Sequence, residues 1–235
     1  MERGAFPILK TKKHHSWYGR WWGVFLIVAL IIVVSFLLAF AFYIKKISKD
    51  LTAQNQAELL KQQMAASKPI IEGLGQYSLG SSTAPITIVE FCDFACPYCR
   101  NSYQALRDIA ELNKSKVRVL WRDFVGHADS ISLSLAARCA GEQNKFWEMH
   151  DGLFSRQGIL GADGVEKLAQ QNNLNIKQFN DCLKSEKYRA NILKDQADAE
   201  KLQIKGTPTW FINGYLLEGE LSSEQWQNII DQLSK

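Results

Sequence analysis

The chain has no excess of basic residues in its longest part. Of its 28 Lys and Arg residues and 24 Asp and Glu residues, 23 of each sign fall in residues 45–235, so that part carries no net charge. The overall charge of +4 belongs to residues 1–44. A nucleic-acid-binding domain is expected to carry a basic patch on its folded surface. The charge distribution therefore gives no support to nucleic-acid binding.

Charge is also absent from Gly23 to Ile44, which is almost wholly apolar. This length suffices for a helix to cross a bilayer, and a buried core helix is disfavoured because it lacks a polar face. Ala39 and Ala41 leave open a cleaved signal sequence, but the long apolar run favours an uncleaved anchor. We predict a cytoplasmic basic tail over 1–22, a transmembrane anchor over 23–44 and a stalk over 45–78, either helical or disordered, with a break at Lys68-Pro69.

Histidine is scarce, with four in the chain, and this bears on the paired cysteines Cys96 and Cys99. A structural zinc site needs four ligands, usually a second Cys-x-x-Cys or a pair of histidines. His127 and His150 stand alone, so we expect no metal and no cofactor. A Cys-x-x-Cys pair at the start of a helix is instead typical of thiol–disulfide exchange, because the helix N-terminus favours a thiolate.

The pattern around the pair predicts an α/β domain over 79–235. A buried strand over 86–91, a helix after Pro97 and a second strand over 117–121 form a βαβ unit with parallel strands. The helix should shield Cys99 and leave Cys96 exposed at its tip. Helices fill about 128–204, and Asn213-Gly214 predicts a hairpin turn. A final amphipathic helix, capped by Ser222 or Ser223, should bury one stripe: Trp226, Ile229, Ile230 and Leu233.

Three segments resemble DsbA-like thiol–disulfide oxidoreductases of the thioredoxin superfamily, in the membrane-anchored and Gram-positive-type branch. They are Ile88–Cys99 (IVEFCDFACPYC), the helical segments Ala136–Ala140 and Lys145–His150, and Gly206–Gly214 (GTPTWFING). The resemblance runs from about Leu79 to the C-terminus. It implies a thioredoxin fold with a helical insertion, preceded by the transmembrane helix.

The resemblance also implies the roles of the site residues. Cys96 would be the nucleophile and Cys99 the resolving thiol, with Pro97 and Tyr98 tuning the pair from the middle of the motif. Glu90, expected to be buried with a raised pKa, would pass protons to and from Cys99. Thr207 and Pro208 would bind substrate, with Pro208 in the cis form.

The resemblance implies a structural disulfide between Cys139 and Cys182, although sequence cannot fix connectivity and two buried thiols remain an alternative. Cys92 is left over, in the turn after the first strand. It opens two metal alternatives: an iron–sulfur site formed by Cys92, Cys96 and Cys99, or a thioredoxin-fold copper chaperone using Cys92, Cys96 and a histidine. A non-enzymatic binding module is a further alternative.

The resulting prediction is a membrane-tethered enzyme, single-pass with its N-terminus cytoplasmic and its catalytic domain extracytoplasmic. It would introduce or exchange disulfides in unfolded or reduced proteins through Cys96 and Cys99. Isomerase and reductase roles in the same fold stay open. The resemblance implies reoxidation by a membrane quinone-linked oxidase of the DsbB or vitamin K epoxide reductase type.

Overall fold

The computed structural model describes residues 21–73, 77–161 and 163–234. The chain divides after Lys61 into two compact units. Nearly all of the predicted basic tail lies outside the described residues, as do residues 74–76 of the predicted stalk.

The first unit contains most of helix α1, Trp21–Glu72. Its apolar window has a mean hydropathy of 3.2 and none of it is buried. By length and composition this helix can cross a membrane, and an apolar surface exposed all round is typical of such a span.

Helix α1 also corrects one expectation, because it continues through Pro69 to Glu72 instead of ending at Lys68. Its last turn is stabilised from outside the helix. Arg122 donates to the carbonyls of Ile70 and Ile71, and the Gly73 N–H donates to the Pro69 carbonyl at 3.1 Å. These contacts satisfy carbonyl groups that a helix C-terminus leaves without partners.

The second unit is built on a five-stranded sheet in the order β1-β3-β2-β4-β5. The strands are β1 (Ser78–Gly80), β2 (Ile86–Cys92), β3 (Val117–Asp123), β4 (Thr209–Ile212) and β5 (Tyr215–Glu218). Strands β2 and β3 are parallel, as the βαβ pattern predicts, with α2 (Pro97–Leu112) between them. The other three pairings are antiparallel.

Both faces of the central strand β2 are covered, which explains its continuous apolar run. Ile86 and Ile88 lie in a cluster with residues of α2 and the C-terminal helix. Val89 and Phe91 point to the other face, where they pack with Ile71 of α1 and with Ala199.

The described residues between β3 and β4 form five helices: α3 (Ser130–Gly141), α4 (Phe146–Ser155), α5 (Gly164–Gln171), α6 (Ile176–Lys184) and α7 (Arg189–Lys201). A disulfide joins Cys139 of α3 to Cys182 of α6, closing a loop with a sequence separation of 43. A crosslink over a loop of this length contributes roughly 3–4 kcal/mol by restricting the unfolded chain.

The sheet ends in the β4–β5 hairpin and helix α8 (Ser223–Leu233). Asn213 and Gly214 turn the hairpin with φ angles of 49° and 89°, the positive values that a two-residue hairpin turn requires. Ser222 and Gln225 form a capping box at the start of α8. Trp226 and Ile230 are buried, but Leu233, the last residue of the helix, is exposed, so the predicted stripe is one residue too long.

Candidate active site

Cys96 is the N-cap residue of α2, with an extended backbone, and Pro97 follows at the first helical position. The Cys96 S–H donates to the Thr207 carbonyl across 3.4 Å. The side chain is 4% exposed, so the prediction of an exposed tip is wrong. The loop before β4 covers the sulfur, a long-range contact that the local pattern does not reveal.

Cys99 lies one turn further along α2 and is fully buried. Its sulfur is bonded to Cys92 at the end of β2, with 6.1 Å between the two Cα atoms, and Cys96 is a free thiol. The Asp93 backbone N–H also donates to Cys99 Sγ at 3.4 Å. The structure therefore brings three cysteines together, and Cys99 is paired with Cys92 instead of with Cys96.

The peptide bond between Thr207 and Pro208 is cis. The Pro208 carbonyl accepts from the Gly219 N–H at 2.9 Å, which holds this loop to the end of β5. A shallow groove runs beside the loop, lined by residues from Lys205 to Thr209 and by Glu218 and Gly219. Tyr98, in the middle of the cysteine motif, is 60% exposed and leaves an apolar ring accessible beside the site.

Glu90 is fully buried on β2, paired in register with Trp121 on one side and Trp210 on the other. Within the described residues, neither carboxyl oxygen has a hydrogen-bond partner. The pKa of Glu90 is raised to about 8, mainly by burial and also by the charge of Asp151, while the charge of Arg107 opposes the shift. At neutral pH the group therefore holds a proton that it can exchange near physiological pH.

Stability should fall as pH rises from 4.5 to about 8, because the folded chain holds a proton on Glu90 that the unfolded chain releases near 4.5. The expected slope approaches about 1.4 kcal/mol per pH unit. Glu90→Gln should remove this contribution and make the protein more stable than the wild type above pH 8. Urea unfolding at a series of pH values measures the slope of the unfolding free energy against pH. Glu218→Gln, at an exposed position, is the matched control. An unchanged slope in Glu90→Gln would contradict the raised pKa of Glu90.

Sequence reasoning missed a polar cluster around Asp93, which follows the disulfide-bonded Cys92. Asp93 accepts from the Gly126 and Ala95 N–H groups and from the Ser130 hydroxyl, and its carboxylate lies 2.7 Å from His127 Nδ1. These contacts hold the turn between β2 and α2, which places Cys96 at the start of the helix. An aspartate between two apolar residues before a helix was the available signal.

Gln157 was also missed. Its side-chain amide donates to the carbonyls of Phe94 and Cys96 at 2.8 and 2.9 Å. It therefore fastens the start of α2 to the helical insertion, although it is 61 residues away from Cys96 in sequence.

In the part of the chain that the structure describes, no cluster of three or more His, Cys, Asp and Glu residues could hold a metal ion. His127 is paired with Asp93, and His150 is buried among aromatic rings with Nδ1 on Asp151. Cys92 and Cys99 bond each other. The two histidines considered as copper ligands are thus hydrogen-bonded to aspartates. Of the three cysteine sulfurs considered as ligands of an iron–sulfur site, two are joined in a disulfide.

Comparison with known proteins identifies this arrangement. A thioredoxin family model matches residues 73–232. The chain belongs to the thioredoxin family. Residues 21–72, which contain α1, lie outside the match.

A thioredoxin-like oxidoreductase from Silicibacter pomeroyi has a similar solved structure, with a TM-score of 0.63 and 26% identity over 71% of this chain and 96% of that one. The thiol-disulfide exchange protein alpha-DsbA2 from Wolbachia pipientis superposes with a TM-score of 0.67 over 76% of this chain and 98% of that one, at 19% identity. The predicted thioredoxin fold and the DsbA-like resemblance are confirmed.

Curated relatives extend the comparison. A probable disulfide bond formation protein D from Bacillus anthracis is 30% identical over 164 residues, covering 63% of this chain and 74% of that protein. A Na(+)/H(+) antiporter NhaA from Salinispora tropica is 33% identical over 148 residues, covering 62% of this chain. This thioredoxin-family chain spans about a fifth of the antiporter, 22% of its length.

Proposed function

We propose that this chain is a membrane-tethered thiol–disulfide oxidoreductase that introduces disulfides into client proteins through Cys96 and Cys99. One observation carries the proposal. A free cysteine thiol lies at the N-cap of a helix, against the carbonyl that precedes a cis-proline, with a second buried sulfur one turn further along the helix.

The proposed reaction starts from a Cys96–Cys99 disulfide. A client thiolate attacks Cys96 Sγ, forming a mixed disulfide, and Cys99 leaves as a thiolate. A second client thiolate then attacks the client sulfur and releases Cys96 as a thiolate. Two client thiols have been oxidised to one disulfide, and the two electrons reside on Cys96 and Cys99.

The site can stabilise both leaving thiolates. Cys96 lies where the helix dipole and the first backbone N–H groups favour negative charge. Cys99 Sγ accepts a hydrogen bond from the Asp93 backbone N–H. Glu90, on strand β2, serves as the proton donor and acceptor for this buried sulfur. This supports the proton-transfer role predicted for Glu90.

Client main chain would bind along the groove beside the cis-proline loop. Thr207 and Pro208 line it, and an extended peptide there would be recognised mainly through its backbone, which tolerates many client sequences. The exposed Tyr98 ring offers an apolar contact next to Cys96.

We place the catalytic domain outside the cytoplasm, with α1 as the anchor and the N-terminus cytoplasmic. The apolar window of α1 and the excess of basic residues before it support this orientation. The Cys139–Cys182 disulfide also suits an oxidising compartment. Because each turnover leaves two electrons on the cysteine pair, a membrane quinone-linked oxidase of the DsbB or vitamin K epoxide reductase type would remove them.

Replacing Cys99 with alanine should trap clients on Cys96, because the sulfur that reverses the first step is gone. We expect adducts with reduced client proteins on non-reducing gels, dissolved by dithiothreitol, when the variant is loaded through Cys96 with a small disulfide. Ser102→Ala, one turn along the same helix, is the matched control and should form no lasting adducts. Absence of adducts in folded Cys99→Ala would overturn the proposed roles.

The reduction potential of the pair then separates an oxidant from an isomerase or reductase. Equilibration with glutathione mixtures measures it, and a potential near that of glutathione or above is expected for a disulfide donor. A much lower potential would assign the chain to reduction of client disulfides.

A further inference from the structure

Cys92 lies within bonding range of the redox site but has no role in the reaction proposed above. It ends β2, is fully buried, and is bonded to Cys99. Cys96, three residues before Cys99 on α2, remains a thiol in the same structure. One sulfur, Cys99, thus has two partners within reach.

We propose that Cys92 is a third redox cysteine, which competes with Cys96 for Cys99. The oxidised domain would interconvert between a Cys96–Cys99 form and a Cys92–Cys99 form. This inference rests on the proposed function, because it assigns an additional cysteine to the same site.

The geometry allows the exchange without moving the backbone elements apart. The Cα atoms of Cys92 and Cys99 are separated by 6.1 Å, within the usual range for a disulfide. Cys96 and Cys99 are separated by one helical turn, a spacing at which side chains are neighbours. A change of side-chain rotamer at Cys99 directs its sulfur toward one partner or the other.

The exchange balances internally. The Cys96 sulfur attacks Cys99 Sγ, the Cys96–Cys99 bond forms, the Cys92–Cys99 bond breaks, and Cys92 becomes a thiol. Cys96 loses one proton and Cys92 gains one, so no oxidant or reductant is consumed. Glu90 lies two residues before Cys92 on the same face of β2, where it can carry that proton.

The two forms differ in what Cys96 can do. In the Cys96–Cys99 form it is half of a disulfide that clients reduce. In the Cys92–Cys99 form it is a thiol that can attack a client disulfide, forming a mixed disulfide and releasing a client thiolate. A different client thiolate then releases Cys96 by forming a new client disulfide. The net result is isomerisation of the client by an oxidised enzyme.

Burial protects the alternative disulfide. Cys92 and Cys99 are both fully buried, whereas Cys96 adjoins the substrate groove through the Thr207 carbonyl. External thiols therefore reach the Cys92–Cys99 bond only through Cys96. In this form the oxidising equivalent is stored away from solvent.

Thiol mapping of the full chain tests the proposal. The protein is reduced, reoxidised with oxidised glutathione and freed of the reagent. Its thiols are then labelled under denaturing conditions at mildly acidic pH with N-ethylmaleimide, and the chain is digested with pepsin without reduction, so that disulfides do not exchange during the analysis. We expect a fraction of the label on Cys96 together with a Cys92–Cys99 linked peptide. Label on Cys92 alone, with Cys96 linked to Cys99 throughout, would overturn the proposal.

Cys92→Ala provides the functional comparison. Its oxidised form should carry no label on Cys96, and its ability to reactivate a scrambled disulfide protein without added thiol should fall to background. Oxidation of reduced clients by the same variant tests the proposed function separately. If clients are oxidised but Cys96 is never labelled in the wild type, only the inference about Cys92 as a third redox cysteine fails. If neither the variant nor the wild type oxidises clients, the proposed function fails, whatever the thiol labelling shows.

Discussion

Cys96→Ser should reduce the oxidation of client thiols to the uncatalysed rate while leaving the chain folded. Serine has nearly the same size as cysteine, and its hydroxyl can donate to the Thr207 carbonyl as the thiol does. It cannot form a disulfide, so neither the mixed disulfide nor the Cys96–Cys99 bond can be made. Recovery of activity by reduced, unfolded ribonuclease, mixed with an excess of the pre-oxidised chain as the oxidant and no glutathione, measures the effect.

The same variant separates two roles of the cysteine cluster. Cys92 and Cys99 should still lose two hydrogens on oxidation, since their pairing does not require Cys96. The double variant Cys139→Ser with Cys182→Ser is the matched control, because it makes the same chemical change at a disulfide in the helical insertion. Below its unfolding temperature, this double variant should oxidise clients as the wild type does. Client oxidation at the wild-type rate by Cys96→Ser would contradict the proposed mechanism.

Local sequence patterns predicted strands β2 to β5, the hairpin and the helices that frame the site, but not strand β1. The run from Ile86 and the proline at position 97 each act through their immediate neighbours, so their effects are visible in the chain itself. The helices over about 128–204 were also predicted from the local pattern, whereas the cis-proline segment was predicted from resemblance, and the family comparison confirms the fold.

The pairing of Cys99 could not be predicted in this way. Cys92 and Cys96 lie on opposite sides of one turn, and the choice between them depends on where that turn is held. Asp93 and Gln157 hold it through contacts 33 to 63 residues away in sequence. The burial of Cys96 has the same origin, because Thr207 is 111 residues away from it.

A buried ionic network was likewise invisible in the sequence, although it contains five charged residues. Arg122 and Arg138, from β3 and α3, meet three carboxylates of β3 and α7: Asp123, Asp195 and Asp198. From sequence alone, arginine and aspartate in an otherwise apolar strand are predicted to lie at the surface. They are tolerated inside because each charge is paired and hydrogen-bonded, which offsets the cost of desolvation.

Arg122→Met should destabilise the second unit by about 3–5 kcal/mol, the cost typical of breaking a buried ion pair by removing one partner. Arg122 is fully buried and donates at 2.8 Å to Asp195, to Asp198 and to the Ile71 carbonyl at the end of α1. Methionine fills a similar volume without donors, so the carboxylate of Asp198 and the last carbonyls of α1 lose a buried partner. Urea unfolding followed by tryptophan fluorescence measures the change in the free energy of unfolding.

Arg189→Met is the matched control, because it removes the same guanidinium from an exposed pair with Glu186. Exposed pairs contribute about 0–1 kcal/mol, so this variant should be nearly as stable as the wild type. Proteolysis should also cleave near Gly73 sooner in Arg122→Met than in the control, because Arg122 holds the last turn of α1 to the sheet. Equal stability of the two variants would show that the network does not hold that turn and that the buried charges contribute no more than a surface pair.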